Sequence, residues 1–227
     1  MNINKKLYNL NDTRRGFYSK ENESRISERW DKKAKLWDNQ LENKDSHLNK
    51  NGEYDNFIYI SKKIASLPNY NIDTFLEIGC GTGLVSRALS PYFKKGIGID
   101  ISSNMISEAR KKNISNMNFH KKSFFNLDKN IDGSFDLIVS RGILVSHYGI
   151  EYLNEILEVI FNVTKNHGYV IFDFLNKKAI LEDVHLPQNK EYYLHTTIVE
   201  YALKIGFTNV EIYGKSTGRV LIAILNK

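Results

Sequence analysis

The stretch that most constrains this chain is residues 75–83, FLEIGCGTG, followed from Gly96 by GIGID. The first piece is a short apolar run, then an acid, then glycines at Gly79, Gly81 and Gly83. A buried strand that ends in a turn almost without side chains lets a ligand come close to the backbone. Thr82, Leu84, Val85, Ala88 and Leu89 then read as a helix whose free N–H groups point into the same space. The second piece reads as another apolar strand, ending at Asp100, 17 residues beyond Gly83. In a βαβ unit that spacing delivers the acid beside the first glycine loop. Glycines beneath a ligand and a carboxylate for ribose hydroxyls describe a nucleoside pocket. Glycines kept only for tight packing are the alternative.

The glycine spacing separates one nucleoside from another. A dinucleotide fingerprint needs G-x-G-x-x-G, and the position three after Gly81 is Leu84. The chain carries E-x-G-x-G-x-G instead, from Glu77 to Gly83. In this it resembles the class I S-adenosylmethionine-dependent methyltransferases of small-molecule type. FLEIGCGTG is similar to their first motif and GIGIDISSNMISEAR to their second. The resemblance implies S-adenosyl-L-methionine as cofactor, contacted by Glu77, Gly79, Cys80, Gly81 and Gly83 from the first motif. Asp100, with Ile101 and Met105, would contact it from the second. The resemblance runs from about residue 70 to the C-terminus. It implies an α/β, Rossmann-like sheet of seven mostly parallel strands in the order 3-2-1-4-5-7-6, the last antiparallel, beneath an N-terminal helical cap. The division expected is a basic segment and cap over residues 1–68 and a cofactor-binding core over residues 69–227.

At 227 residues the chain is long enough for one domain with a real core, and 41% hydrophobic residues suit a soluble protein. Its one cysteine, Cys80, permits no internal disulfide and points to a reducing, cytoplasmic setting. No run approaches a membrane span, and MNINKKLYNL lacks the apolar core of a signal peptide. Residues 1–35 hold ten Lys and Arg against five acids, so most of the net charge of +6 sits there. A nucleic-acid footprint would have to come from this segment; a solvated helix face is the simpler reading.

Residues 1–20 show no period and read as loose, or ordered only by docking. Ile26, Trp30, Ala34, Trp37 and Leu41 then make one apolar stripe, predicting a helix over about 21–42. Asn49, Asn51 and Gly52 break the pattern, and a helix over about 54–67 stops at Pro68. Beyond the two opening strands, Ser102 should cap a helix to about Lys112, followed by strands over 116–121 and 134–140. A helix over 152–166 ending at Gly168, a strand over 169–174 and a helix opened by a Thr197–Glu200 capping box come next. Strands over 207–213 and 219–225 follow too closely for a crossover and should form a hairpin.

Ligands in open α/β sheets bind beyond the carboxyl ends of the strands, which selects the loops 79–84, 100–105, 122–126 and 140–149. In the family, an acid after the third strand commonly holds the adenine amino group. In KKSFFNL this chain has Ser123 there, then Phe124, and the resemblance implies that both flank the adenine. Ser140 and Arg141 would contact the cofactor from the fourth loop, SRGILVSHYG. That loop lacks the [DN]-P-P-[YFW] of base N-methylation, and no acid ends its strand to hold Mg²⁺. His147 and Tyr148 stand instead where a nucleophile would approach, and are the catalytic candidates. Methyl transfer is an in-line displacement that needs alignment and exclusion of water. A hydroxyl or ammonium nucleophile also needs a proton acceptor, which histidine can be near neutral pH. His147 reads either as that acceptor or as a structural hydrogen-bonding group. Trp37, on the cap, and Asp173, ending the fifth strand, are substrate-side candidates. His47, His120, His167, His185 and His195 show no metal-ligand spacing.

The function expected is methyl transfer, without metal, to an O or N nucleophile of a small molecule. The protein would be a monomer or homodimer without nucleic-acid or membrane partners. Two alternatives remain: an RNA-directed methyltransferase using the basic N-terminus, and a non-catalytic S-adenosylmethionine-binding subunit, suggested by Ser123.

Overall fold

Short apolar runs separated by amphipathic helices produce a parallel sheet covered on both faces. The computed structural model describes residues 18–42, 52–142, 144–181 and 190–227. Its strands are β1 (Ile72–Ile78), β2 (Phe93–Asp100), β3 (Met117–Lys121), β4 (Phe135–Ser140), β5 (Thr164–Leu175), β6 (Asn209–Tyr213) and β7 (Val220–Asn226). They lie in the order β3-β2-β1-β4-β5-β7-β6. Leu76 pairs with Ile97 on one side and Ile138 on the other, both in parallel register. β7 runs antiparallel to β5 and to β6. The expected α/β sheet and its strand order are therefore present. Among the described residues no helix is long and apolar enough to cross a membrane.

Alternation along the strands sends neighbouring residues to opposite faces. Leu76, Ile78, Ile138 and Phe172 meet α8 (Leu153–Val163) and α9 (His195–Ile205) on one face. Phe75, Leu137, Val139 and Ile171 meet α3 (Glu53–Ala65), α4 (Leu84–Leu89) and α5 (Ser103–Lys111) on the other. Glu77 is 2% exposed and clasps strand to helix, accepting the Ser86 N–H at 2.8 Å and the Ser86 hydroxyl. Burial pushes its carboxyl up to about 8.

The remaining helices are α1 (Glu23–Asp31), α2 (Trp37–Glu42), α6 (Lys129–Asp132) and α7 (Leu144–His147). The single helix expected over 21–42 is thus broken. α1 ends at Asp31, whose carboxylate accepts the Ser102 hydroxyl at 2.5 Å and the Asn104 N–H at 2.9 Å. A 3-10 turn, Ala34–Leu36, then restarts the chain toward α2. Ser102 does cap α5, accepting the Met105 N–H at 3.1 Å. β5 begins earlier than its sequence suggests: Thr164 already pairs with Phe135, and the register shifts before Leu137 meets Tyr169. Gly168 accordingly lies within this strand and ends no helix. α9 starts at His195 after Leu194, without a side-chain cap, so the Thr197–Glu200 box does not form its start. The side chain of Leu41 and the turn residues Asn49 and Asn51 lie outside the described residues, as do residues 1–17. Tyr18, in the stretch expected to be loose, is buried and bridges to Tyr148.

Two measurements test these packing relations. A Cβ on Gly98 would stand 2.5 Å from Cδ1 of Phe119 and 3.2 Å from the Cys80 Cβ. Gly98→Ala should therefore cost about 1–3 kcal/mol in urea unfolding, as overpacked cores do. Glu77 holds, between pH 4.5 and about 8, a proton that the unfolded chain has lost. Its contribution is fully present below pH 4.5 and disappears as pH rises through 8, by about 1.4 kcal/mol per pH unit. Glu77→Gln should flatten that part of the stability curve; an unchanged slope would contradict the buried, neutral acid.

Candidate functional site

The carboxyl ends of β1, β2 and β4 open onto one cavity of about 360 Å³. Its floor is the turn after β1. Gly79 and Gly81 have φ of 66° and 50°, values a side chain would strain, and a Cβ on Gly79 would meet nothing within 4 Å. The Gly81 N–H donates to one Asp100 oxygen at 2.9 Å, and the Ser102 N–H to the other at 2.8 Å. Each oxygen keeps a further acceptor position. Desolvation pushes this carboxyl up to about 6, against the pull of those two N–H groups. Ile101, Met105 and Phe124 continue the wall. The Ser140 hydroxyl, at the end of β4, is buried without a hydrogen-bond partner among the described residues. A floor without Cβ atoms, a carboxylate with free lone pairs and an unsatisfied hydroxyl fit a nucleoside with ribose hydroxyls.

The N-terminal helices form a roof. The Ser27 hydroxyl of α1 donates to the Ile101 carbonyl at 2.8 Å. Asp38 of α2 accepts from the Thr82 hydroxyl and, at 2.5 Å, from Lys112. Trp37 hangs over the floor, its Nε1 3.4 Å from where a Gly81 Cβ would stand, and packs edge-on against Trp30 at 5.1 Å. Trp30 in turn donates to the Tyr18 hydroxyl at 2.8 Å.

Three residues expected at the cofactor face elsewhere. Glu77 borders the cavity but gives its carboxyl to Ser86. Gly83 is the left-handed residue before α4 and is packed against Phe119, since a Cβ there would meet that ring at 3.0 Å. Ser123 turns to α1, donating to Glu23 at 2.6 Å, so an acid reaches the adenine loop from outside it. Cys80 borders the cavity, and burial pushes its thiol well above the usual range, which makes it inert.

At the far end stand His147, Tyr148, Arg141 and Asp173. Asp173 accepts the Gly142 N–H at 2.8 Å and lies 4.0 Å from the Arg141 guanidinium. The Tyr148 ring stands edge-on to both Phe124 and Phe125, and burial raises its hydroxyl pKa far above the phenol range. His147 Nε2 lies 3.2 Å from the Gly142 carbonyl, which can only accept, so Nε2 carries the proton. Nδ1 then accepts from Lys190. Desolvation, with Lys190 second, holds this imidazole well below its usual range and neutral. In this arrangement neither ring nitrogen is free to take a substrate proton.

Sequence reasoning missed Tyr18, Arg29, Lys33 and Lys190, all of which line the cavity. The Tyr18 ring lies 4.4 Å from that of His147. Lys190 is carried in because Glu191 N–H bonds to the Ser146 carbonyl at 2.9 Å and Tyr193 N–H to the Leu175 carbonyl at 2.8 Å. No motif marks this lysine. Among the described residues no group of three or more His, Cys, Asp or Glu side chains could hold a metal ion.

Residues 75–168 match the model of a family described as "Methyltransferase domain". The chain is 30% identical over 141 residues to a malonyl-[acyl-carrier protein] O-methyltransferase of Bacillus cereus, covering 57% of this chain and 51% of that protein. It is 40% identical over 76 residues to a probable S-adenosylmethionine-dependent methyltransferase, CRG1, of Saccharomyces cerevisiae, covering 30% and 26%. The chain thus spans about half, or less, of the length of these relatives. Among solved structures, the DhpI complex with SAH superposes with a TM-score of 0.70 at 16% identity, covering 92% of this chain and 98% of that one. Magnesium protoporphyrin IX methyltransferase (ChlM) from Synechocystis PCC 6803 with bound SAH gives 0.71 at 15%, covering 91% and 99%. Sheet order, glycine turn, paired carboxylate and matched domain agree: residues 75–168 carry a methyltransferase domain, set in the fold that the DhpI and ChlM structures share.

Proposed function

We propose that this chain transfers the methyl group of S-adenosylmethionine to an oxygen or nitrogen nucleophile of a small molecule, without a resident metal ion. The observation that carries the reading is the continuity of one cavity. Gly79, Gly81 and Asp100 line it at one end, and Tyr18, His147 and Lys190 at the other. When bound, the cofactor supplies a methyl group already activated on a sulfonium. The turn backbone receives the nucleoside closely, Asp100 accepts from ribose hydroxyls, and the Ser140 hydroxyl satisfies itself on the ligand. Trp30 and Trp37 keep water out and offer ring faces that favour a cation. His147, fixed by Gly142 and Lys190, holds the far wall. On this reading residues 1–68 supply the roof and residues 69–227 the cofactor-binding core. The Bacillus cereus relative is named for methyl transfer to oxygen, which favours an oxygen acceptor here.

Titration calorimetry with S-adenosylhomocysteine tests the cofactor half. The wild-type protein should bind it saturably, and Asp100→Ala should weaken binding by about 10–100-fold, the worth of one or two charge-assisted hydrogen bonds. No heat with the wild-type protein would end the reading.

A further inference from the structure

A charge account of the cavity wall leaves one remainder. Each acid that lines it is engaged: Glu53 with Arg219, Glu77 with Ser86, Asp100 with the Gly81 and Ser102 N–H groups, and Asp173 with Gly142 and Arg141. Lys122 is likewise engaged, 2.6 Å from Asp132. Arg29, Lys33 and Lys190 have no carboxylate within ion-pair distance among the described residues. They are close enough to disturb one another: Arg29 and Lys33 both help to hold Lys190 down toward pH 7, after desolvation. Lys33 has a ring for company, Trp30 at 4.9 Å, and Lys190 has Tyr18 at 5.1 Å. Like charges gathered in a partly dry wall are costly unless something of opposite sign joins them.

Among the described residues, no histidine or tyrosine of this wall is free to accept a proton. Both His147 nitrogens are engaged, Tyr148 is a buried phenol, and Tyr18 already accepts from Trp30. A neutral hydroxyl or an ammonium would have only Lys190 to leave its proton on, and that would add a charge beside Arg29 and Lys33. An acceptor already deprotonated needs none.

We propose that the methyl acceptor is itself an oxyanion, a carboxylate or a phosphate-like group, gripped by Lys190, Lys33 and Arg29 beside His147. This rests on the methyl-transfer reading above and names its substrate class. One acceptor oxygen is held by the cations while another attacks. The new oxygen–methyl bond forms as the sulfur–methyl bond breaks, and that bond's electron pair stays on sulfur. An anion and a sulfonium become an ester and a neutral thioether, and no proton is released. Arg29, exposed at the mouth, attracts the anion, and Lys190, half-buried, fixes it.

The chain's two tryptophans, Trp30 and Trp37, both line the cavity, so intrinsic fluorescence reports its contents. The protein is saturated with S-adenosylhomocysteine, which occupies any site for the cofactor's own carboxylate. It is then titrated at constant ionic strength with malonate, inorganic phosphate or uncharged malonamide. Malonate or phosphate should shift the emission saturably and malonamide should not; whichever anion binds better names the acceptor group. Lys190→Met should lower anion affinity at least tenfold and leave S-adenosylhomocysteine affinity within about twofold. Arg29→Gln, at an exposed position that cannot upset the core, should lower it severalfold. No anion response in the saturated protein overturns the proposal. So does a parallel loss of S-adenosylhomocysteine affinity in Lys190→Met, which would assign the cations to the cofactor. The two readings fail separately: no heat with S-adenosylhomocysteine overturns both, whereas heat without an anion response overturns this one alone.

Discussion

One carboxylate joins the ends of two strands. Asp100, at the tip of β2, takes the N–H of Gly81 beyond the tip of β1 and the N–H of Ser102 at the head of α5. Those bonds fix the glycine turn in its left-handed conformation and aim the start of α5. Everything at the site is referred to this clasp: the floor is one of its partners, the wall of Ile101 and Met105 follows from the other. The price is a desolvated acid whose pKa rises to about 6, tolerable because its N–H donors are held rigidly by the sheet.

From that clasp the cavity is electrically graded. Asp100 is hydrogen-bonded beside the glycine turn, Asp173 is engaged by Gly142 and Arg141 at the far end, and Arg29, Lys33 and Lys190 gather toward His147 without a carboxylate partner among the described residues. A neutral imidazole stands in the cationic part because charge there is disfavoured twice, by desolvation and by its neighbours. Histidine at the rim of such a site is commonly taken for a base. Here the Gly142 carbonyl sets its tautomer and Lys190 occupies the nitrogen left over, so that position and not proton affinity is what it contributes.

The parts of this molecule that could be read from sequence are those made by neighbours in the chain. Gly79, Gly81 and Asp100 obey a spacing fixed by one βαβ unit, and the alternating apolar runs define the sheet. What could not be read depends on distant partners. The stripe Ile26–Trp30–Ala34–Trp37 continues through the break after α1, which lies where Asp31 meets Ser102, 71 residues further on. Sequence alone places Ser123 beside the adenine, since its partner Glu23 stands 100 residues earlier and nothing local announces their meeting. β5 starts at Thr164 because Phe135 pairs with it across a register shift, and no local residue announces that. Lys190 lies in a stretch without period and is positioned by the backbone bonds of Glu191 and Tyr193 and by its contact with His147.

The roof is fastened twice to the cofactor loops: Asp31 sits on the first turn of α5, and Asp38 holds Thr82 in the glycine turn. These are the two loops that line the floor of the cavity. A roof displaced from them would leave Ser102, Asn104 and Thr82 without their carboxylate partners, so the position of the roof and the shape of the pocket are coupled through the same hydrogen bonds.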